Sequence, residues 1–156
     1  MHISRYQKLF GVGPLNLLIC LVLLGMLWIL DRALGHVEIL DKPNTCRLFG
    51  LTLIVIWIIW HSWCVKTISR WWRNDELCTT GPYRLVRHPI YSGSIVLGLT
   101  GVSLLINSWV LLLAPILQYF ILSKLVRKEE AMMAAVFGDR YREYASHTGR
   151  LLPKLY

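Results

Sequence analysis

The sequence predicts an all-α integral membrane protein of about four transmembrane helices, the last two a tight helical hairpin followed by a cytoplasmic helical tail. Three observations predict it. The 156-residue chain is 55% hydrophobic with a mean hydropathy of +0.49, above an ordinary soluble composition. Its apolar residues gather into four runs free of Asp, Glu, Lys and Arg, and its basic residues gather in blocks around those runs.

The first run, Gly11 to Leu30, holds no charged residue, and twenty residues at about 1.5 Å each cover a hydrocarbon core of about 30 Å. It lacks the short apolar core and small-residue cleavage site of a signal peptide, so it is read as a retained transmembrane helix. The second run, Leu48 to Val65, is broken only by His61 and Ser62 near its end. Tyr91 to Ile106 and Trp109 to Ser123 follow, separated by Asn107-Ser108. At about 1.5 Å per residue each spans only about 23 Å, which favours a hairpin with its turn at or just inside the far interface. Pro115 falls inside the second arm, where it is expected to free the Leu111 carbonyl and kink the helix.

Charge orients the bundle, because Lys and Arg collect on the cytoplasmic side of short loops. Fourteen of the seventeen basic residues lie in three blocks: Arg5 and Lys8; Lys66, Arg70, Arg73, Arg84 and Arg87; and Lys124, Arg127, Lys128, Arg140, Arg142, Arg150 and Lys154. The other three, Arg32, Lys42 and Arg47, are balanced by Asp31, Glu38 and Asp41. Both termini are therefore expected in the cytoplasm, with the chain multi-pass. A short chain without an elaborate targeting signal reads as prokaryotic, hence an inner (plasma) membrane protein. The net charge of +8 suits anionic headgroups of the lipid bilayer, and no nucleic acid is needed to explain it. Cys20, Cys46, Cys64 and Cys78 form no CxxC pair, so neither a disulfide nor a metal is expected.

Polar chemistry concentrates in two stretches. In KTISRWWRNDELCTTGPYRLVRHPIYSG, Trp71 and Trp72 suit the headgroup layer, and Thr80-Gly81-Pro82-Tyr83 signals a turn. Pro89 turns His88 out of helical geometry and starts the next helix. The exposed N–H groups there suit an anionic group. In KLVRKEEAMMAAVFGDRYREY, good helix formers run from Leu125 to Phe137 and Gly138 is placed to end the helix. Glu129 and Glu130 lie at the membrane end of an apolar stripe through Met133, Ala134, Val136, Phe137 and Tyr141, where a carboxylate needs a partner.

Taken singly, each piece has an ordinary explanation. Arg87 and His88 can snorkel to phosphates. Glu129 and Glu130 can pair with Arg127, Lys128 or Arg87. Tyr141 and Tyr144 can be interface aromatics, and His61 a polar packing residue. The order of the pieces carries more. GPYRLVRHPIYSG, a short apolar hairpin, EEAMMAAVFGDRYREY and RLLP together resemble the isoprenylcysteine carboxyl methyltransferase family and its relatives, the membrane phospholipid methyltransferases. The resemblance covers roughly Leu77 to Pro153 and rests on R-H-P-x-Y-x-G, the Glu pair, F-G-x-x-Y-x-x-Y and R-x-x-P.

The resemblance implies a single membrane methyltransferase domain over 1–156, with 1–70 supplying amino-terminal helices and 71–156 the cofactor-binding and catalytic part. It implies S-adenosyl-L-methionine as cofactor, against a wall of Asp75, Glu76, Leu77, Cys78, Tyr83, Arg87, His88, Pro89, Ile90, Tyr91 and Glu129. A carboxylate accepts hydrogen bonds from a ribose or amino group, and aromatic faces attract a sulfonium. The implied acceptor is lipophilic or prenylated and arrives from the bilayer. A carboxylate acceptor needs no general base but an orienting arginine, Arg127 or Arg150; an amine needs a proton taken by Glu129, Glu130 or His88. The chain has fewer helices than the eukaryotic members and lacks the proline often found before the arginine of R-x-x-P. Membrane sterol reductases, which bind a reduced nicotinamide cofactor, share an R-x-P-x-Y element. Their Asn before the Tyr and acid after the Gly are here Ile90 and Ser94. A non-enzymatic membrane scaffold is a further reading, although it has no need of both polar stretches.

Overall fold

The computed structural model describes residues 12–72 and 76–154, without the side chain of Trp72. Gly11, Arg5, Lys8, Arg73 and Asp75, used above, lie outside the described residues. The described chain is helical apart from turns and two isolated bridges. Its elements are α1 (Gly13–Ala33), α2 (Pro43–Trp72), a single 3₁₀ turn at Gly81–Arg84, α3 (Pro89–Ile106), α4 (Leu113–Phe137) and α5 (Asp139–His147). Among the described residues, α1, α2 and α3 are long and apolar enough to cross a membrane. In α4 the apolar stretch ends at Lys124, and Arg127, Lys128, Glu129 and Glu130 follow within the same helix. Leu17, Leu18 and Ile29 of α1 and Leu48, Phe49 and Ile59 of α2 are exposed, a surface fitted to hydrocarbon rather than water.

The seam between α2 and α3 depends on glycines. A Cβ at Gly50 would lie 2.5 Å from the Leu105 nitrogen and 2.7 Å from the Gly101 oxygen, so the two backbones touch there, as small residues permit. Further along, the Trp57 ring covers Gly98 and the Trp60 ring covers Gly93. Each indole then finds a polar partner on α3: Trp57 Nε1 donates to Ser94 Oγ at 3.3 Å and Trp60 Nε1 to the Pro89 carbonyl at 2.9 Å. Between those glycines α3 widens to a π-helical stretch, Ser94–Leu99. The wider turn lets two glycines five residues apart face the same neighbour. Substituting Gly101→Ala places a Cβ 2.9 Å from Ile54 Cγ1 and 3.1 Å from the Gly50 oxygen. The expected cost is about 1–3 kcal/mol, read as a lower thermal midpoint in detergent. Gly25→Ala, with nothing within 4 Å of its new Cβ, serves as the neutral control.

At the end of α3, Asn107 takes the left-handed conformation (φ 59°), which asparagine tolerates better than most residues. Its side chain exchanges hydrogen bonds with the Leu40 backbone, Oδ1 accepting at 3.1 Å and Nδ2 donating at 2.9 Å. Ser108 Oγ donates to buried Asp31 at 2.5 Å, and His36 Nδ1 stands 2.8 Å from the other carboxylate oxygen. This knot joins the end of α1 to the α3–α4 connection. It also corrects the expectation for Pro115. The helix starts at Leu113, so Pro115 sits in its first turn, where no intrahelical donor is required. The Leu111 carbonyl accepts instead from Ser103 Oγ at 2.8 Å and the Ala114 N–H at 2.9 Å.

Ala114, Gln118, Leu122 and Val126 recur every four residues on α4 and are buried, the spacing of one helix face. That face meets α1 and the π-helical part of α3. Leu27, Leu99, Val110 and Ala114 form one apolar cluster; Ile95, Leu122, Val126 and Leu151 form another, nearer the charged end. Gly138 (φ 56°) ends α4 and α5 starts at once, so the acids of α4 and the tail beyond α5 occupy the same end of the bundle.

Candidate functional site

The site is assembled where three chain segments meet. Pro89 keeps His88 out of helical geometry (φ −122°, ψ 62°), as a following proline requires. The Arg87 and His88 N–H groups therefore lie outside any helix, and the tail beyond α5 pairs with them. Val86 and Gly149 form a parallel bridge; the Arg87 N–H donates to the Gly149 carbonyl at 2.8 Å and the His88 N–H to the Arg150 carbonyl at 3.1 Å. Gly149 is required by the return of the chain, since a Cβ there would stand 1.8 Å from the Leu152 oxygen.

Side chains close the same junction. Glu130 accepts from Arg87 Nε on one oxygen at 2.8 Å and from Arg150 Nε and Nη2 on the other at 2.8 and 2.7 Å. Arg87 also donates from Nη1 to the Ala145 carbonyl at 3.0 Å and to the Thr148 carbonyl, the negative end of α5. Burial alone pushes the Glu130 carboxyl up. The pull of His88, Arg150 and Arg87 outweighs it and holds the group at about 2. Glu130 is therefore an ionised anchor between two guanidiniums.

Glu129, on the next position of α4, has a different neighbourhood. Its Oε1 accepts from the Tyr91 hydroxyl at 3.0 Å and from the backbone N–H of Val12. Among the described residues, its Oε2 is approached by His88 Nδ1, at 3.4 Å. The His88 ring sits between the two acids, with Nε2 3.6 Å from Glu130 Oε1, too far for a hydrogen bond. That buried Nε2 has no hydrogen-bond partner. The ring stacks on Tyr91 with centroids 5.8 Å apart and planes 17° from parallel.

The structure thus brings together Arg87, His88, Tyr91, Glu129, Glu130 and Arg150. Leu77, Cys78, Tyr83, Pro89 and Ile90 lie in the adjoining layer. Tyr83, Cys78 and Cys64 are buried as one cluster against Trp60, Ile68, Trp71 and Ile90, and burial pushes the Cys78 thiol and the Tyr83 phenol up. The Tyr144 hydroxyl donates to the Tyr83 carbonyl at 2.5 Å, tying α5 to this layer. Tyr141, buried and edge-on to Tyr144, is pushed up to about 12, chiefly by burial. Glu76 is exposed, Arg127 is exposed and makes no ion pair with the cluster, and Asp75 lies outside the described residues. Sequence reasoning missed Val12, Trp60, Thr148 and Gly149. Three act through backbone atoms, for which side-chain chemistry gives no signal, and Trp60 reads as one more apolar residue of a span.

Two open cavities lie outside the cluster, neither lined by one of its six residues. One of about 380 Å³ is lined by Trp71, Leu77, Thr79, Arg140, Glu143, Tyr144 and His147. The other, of about 370 Å³ and mostly apolar, lies between the π-helical stretch and α4 along Ile95, Val96, Thr100, Pro115, Ile116, Tyr119 and Phe120.

Comparison with known proteins follows the same residues. The family model described as phospholipid methyltransferase matches residues 45–140. The chain is 33% identical over 115 residues to the cobalt-zinc-cadmium resistance protein CzcN of Cupriavidus metallidurans, covering 71% of this chain and 49% of that protein. It is 28% identical over 113 residues to a probable protein-S-isoprenylcysteine O-methyltransferase of Oryza sativa subsp. indica, covering 67% and 59%. Over 114 residues it is 27% identical to protein-S-isoprenylcysteine O-methyltransferase B of Arabidopsis thaliana, covering 67% and 58%. The chain spans about half to three fifths of the length of these relatives. No solved structure matches it.

Proposed function

From the premise that this chain belongs to the phospholipid methyltransferase family, we propose that it is an integral membrane S-adenosyl-L-methionine-dependent methyltransferase acting on a lipophilic acceptor, most like a protein-S-isoprenylcysteine carboxyl O-methyltransferase. The observation that carries the reading is the meeting of His88, Tyr91 and Glu129 at the edge of an apolar bundle, with polar atoms left to receive a ligand. Among the described residues, buried His88 Nε2 has no hydrogen-bond partner and Glu129 Oε2 has His88 as its neighbour at 3.4 Å; such groups fit a small polar cofactor. When bound, S-adenosyl-L-methionine supplies a methyl group activated on a sulfonium.

The chain's own residues bind, orient and exclude water. Glu129 accepts a hydrogen bond from the ribose or amino group, and the stacked His88 and Tyr91 rings offer an aromatic face to positive charge. Leu77, Cys78, Tyr83, Pro89 and Ile90 back this wall, and Asp75 and Glu76 complete the proposed set. Methyl transfer is an in-line displacement, so positioning supplies most of the rate. Glu130, already ionised and doubly paired, is a poor proton acceptor. It holds Arg150, whose side chain is 36% exposed, as the group that orients an acceptor carboxylate. This favours an acceptor that is an anion before it reacts. N-methylation of a lipid amine is the second reading; it requires His88 or Glu129 to take the proton.

The same reading sets the topology. The basic blocks lie at the cytoplasmic face, both termini with them. The apolar half of α4 is the return arm of a hairpin with α3, and α5 is the cytoplasmic tail. The acceptor reaches the site from the bilayer along the apolar cavity between α3 and α4. Calorimetric titration of detergent-purified protein with S-adenosylhomocysteine, alongside the reduced nicotinamide cofactor, tests the class. Saturable binding of the first alone is expected. Binding of the second alone points to a reductase, and binding of neither leaves a membrane scaffold.

A further inference from the structure

The family match begins at residue 45, yet the described site reaches back to the first turn of α1. Val12, the residue that caps α1 (φ −88°, ψ 6°), donates its backbone N–H to Glu129 Oε1 at 2.5 Å. The Tyr91 hydroxyl donates to the same oxygen at 3.0 Å. A carboxylate oxygen has two lone-pair sites, and here both are occupied. Among the described residues, Oε2 faces His88 Nδ1 at 3.4 Å.

Two contacts hold the Val12 donor where it is. The Val12 side chain packs on the cluster of Ile95, Leu122, Val126 and Leu151, beside Tyr91. One turn further along α1, Asn16 Oδ1 accepts from Gln118 Nε2 at 2.5 Å, a polar tie between α1 and α4 that an apolar surrounding strengthens. A donor on a braced backbone has no side-chain rotamers to lose when it fixes its partner.

We infer that the Val12 N–H is a positioning group for the cofactor pocket: it turns the Glu129 carboxylate so that Oε2 is presented to a ribose hydroxyl or amino group. The inference rests on the methyltransferase reading above. It makes α1, which lies outside the family match, a working part of the site rather than an anchor alone.

The test replaces Val12 in the full chain by its α-hydroxy acid counterpart, which exchanges the N–H for an ester oxygen and keeps the side chain. It is made alone and together with Glu129→Gln. Val12→Pro removes the same N–H, drawing φ from −88° towards proline's value of about −65°, and serves if the ester variant does not fold. S-adenosylhomocysteine affinity is expected to fall about tenfold in the single ester variant and to fall no further in the Glu129→Gln background, the coupling a shared contact produces. Thermal midpoints of the ligand-free proteins are expected to show the same non-additivity. Equal losses in both backgrounds, or wild-type affinity in the ester variant, overturn the inference while leaving the cofactor reading intact. Thermal coupling with no S-adenosylhomocysteine binding to any variant overturns the cofactor reading, and the positioning role with it.

Discussion

Glu130→Ala is expected to destabilise the protein by about 3–5 kcal/mol, the cost of leaving buried charge without its partner. Arg87 and Arg150 both lose their carboxylate, and Arg87 is only 11% exposed. Removing the acid therefore strands a guanidinium against the α5 carbonyls rather than releasing it to water. The loss should appear as a lowered thermal midpoint and as faster proteolysis of the tail beyond α5, with α1 to α3 more slowly digested. The sign with pH follows from the carboxyl being held at about 2 in the folded chain, against an ordinary value of 4.5. The ion pairs contribute in full above about pH 4.5, and that contribution is lost as pH falls towards 2. The midpoint difference between wild type and Glu130→Gln should be constant at neutral pH and shrink on acidification. A difference unchanged down to pH 2.5 contradicts the assignment.

Glu129→Ala is expected to lower S-adenosylhomocysteine affinity about a hundredfold, and His88→Ala about tenfold, as the hydrogen bonds each group makes to the ligand are removed. Stability should change less than in Glu130→Ala, because among the described residues Glu129 pairs with no guanidinium. The two adjacent glutamates are thus predicted to separate in opposite directions: one variant folds and does not bind, the other loses its fold. Titration and thermal unfolding of both, in one detergent, read this directly. Wild-type affinity in Glu129→Ala would place the cofactor elsewhere, with the cavity bounded by Trp71, Leu77 and Tyr144 the next place to look.

The sequence made the apolar helices legible because a span needs nothing but length and hydropathy, and Gly11 to Leu30 announces itself on both. It also made the polar cluster legible as a list of residues, since arginine, histidine and glutamate beside a bilayer demand partners. What it did not make legible is which partner each takes. Glu129 and Glu130 look alike in the chain, and only the return of Arg150 over Val86 and Arg87 separates an anchored acid from an available one. Gly50 and Gly101 read as two small residues in apolar runs, since the contact that needs them joins segments fifty residues apart. Pro115 read as a kink because its apolar run is unbroken from Trp109, whereas α4 starts only at Leu113 and Ser103 of the preceding helix takes the Leu111 carbonyl. The π-helical widening of α3 likewise answers to Trp57 and Trp60 on another helix.

The Glu130 junction gathers Arg87 from 43 positions upstream and Arg150 from 20 positions downstream. The four apolar runs described above all precede Arg150, so during synthesis those helices can enter the lipid before the last partner has emerged. Insertion and completion of the site are then separate events in time. Until the second event Glu130 has one of its two guanidiniums and the tail has not yet paired with Arg87 and His88.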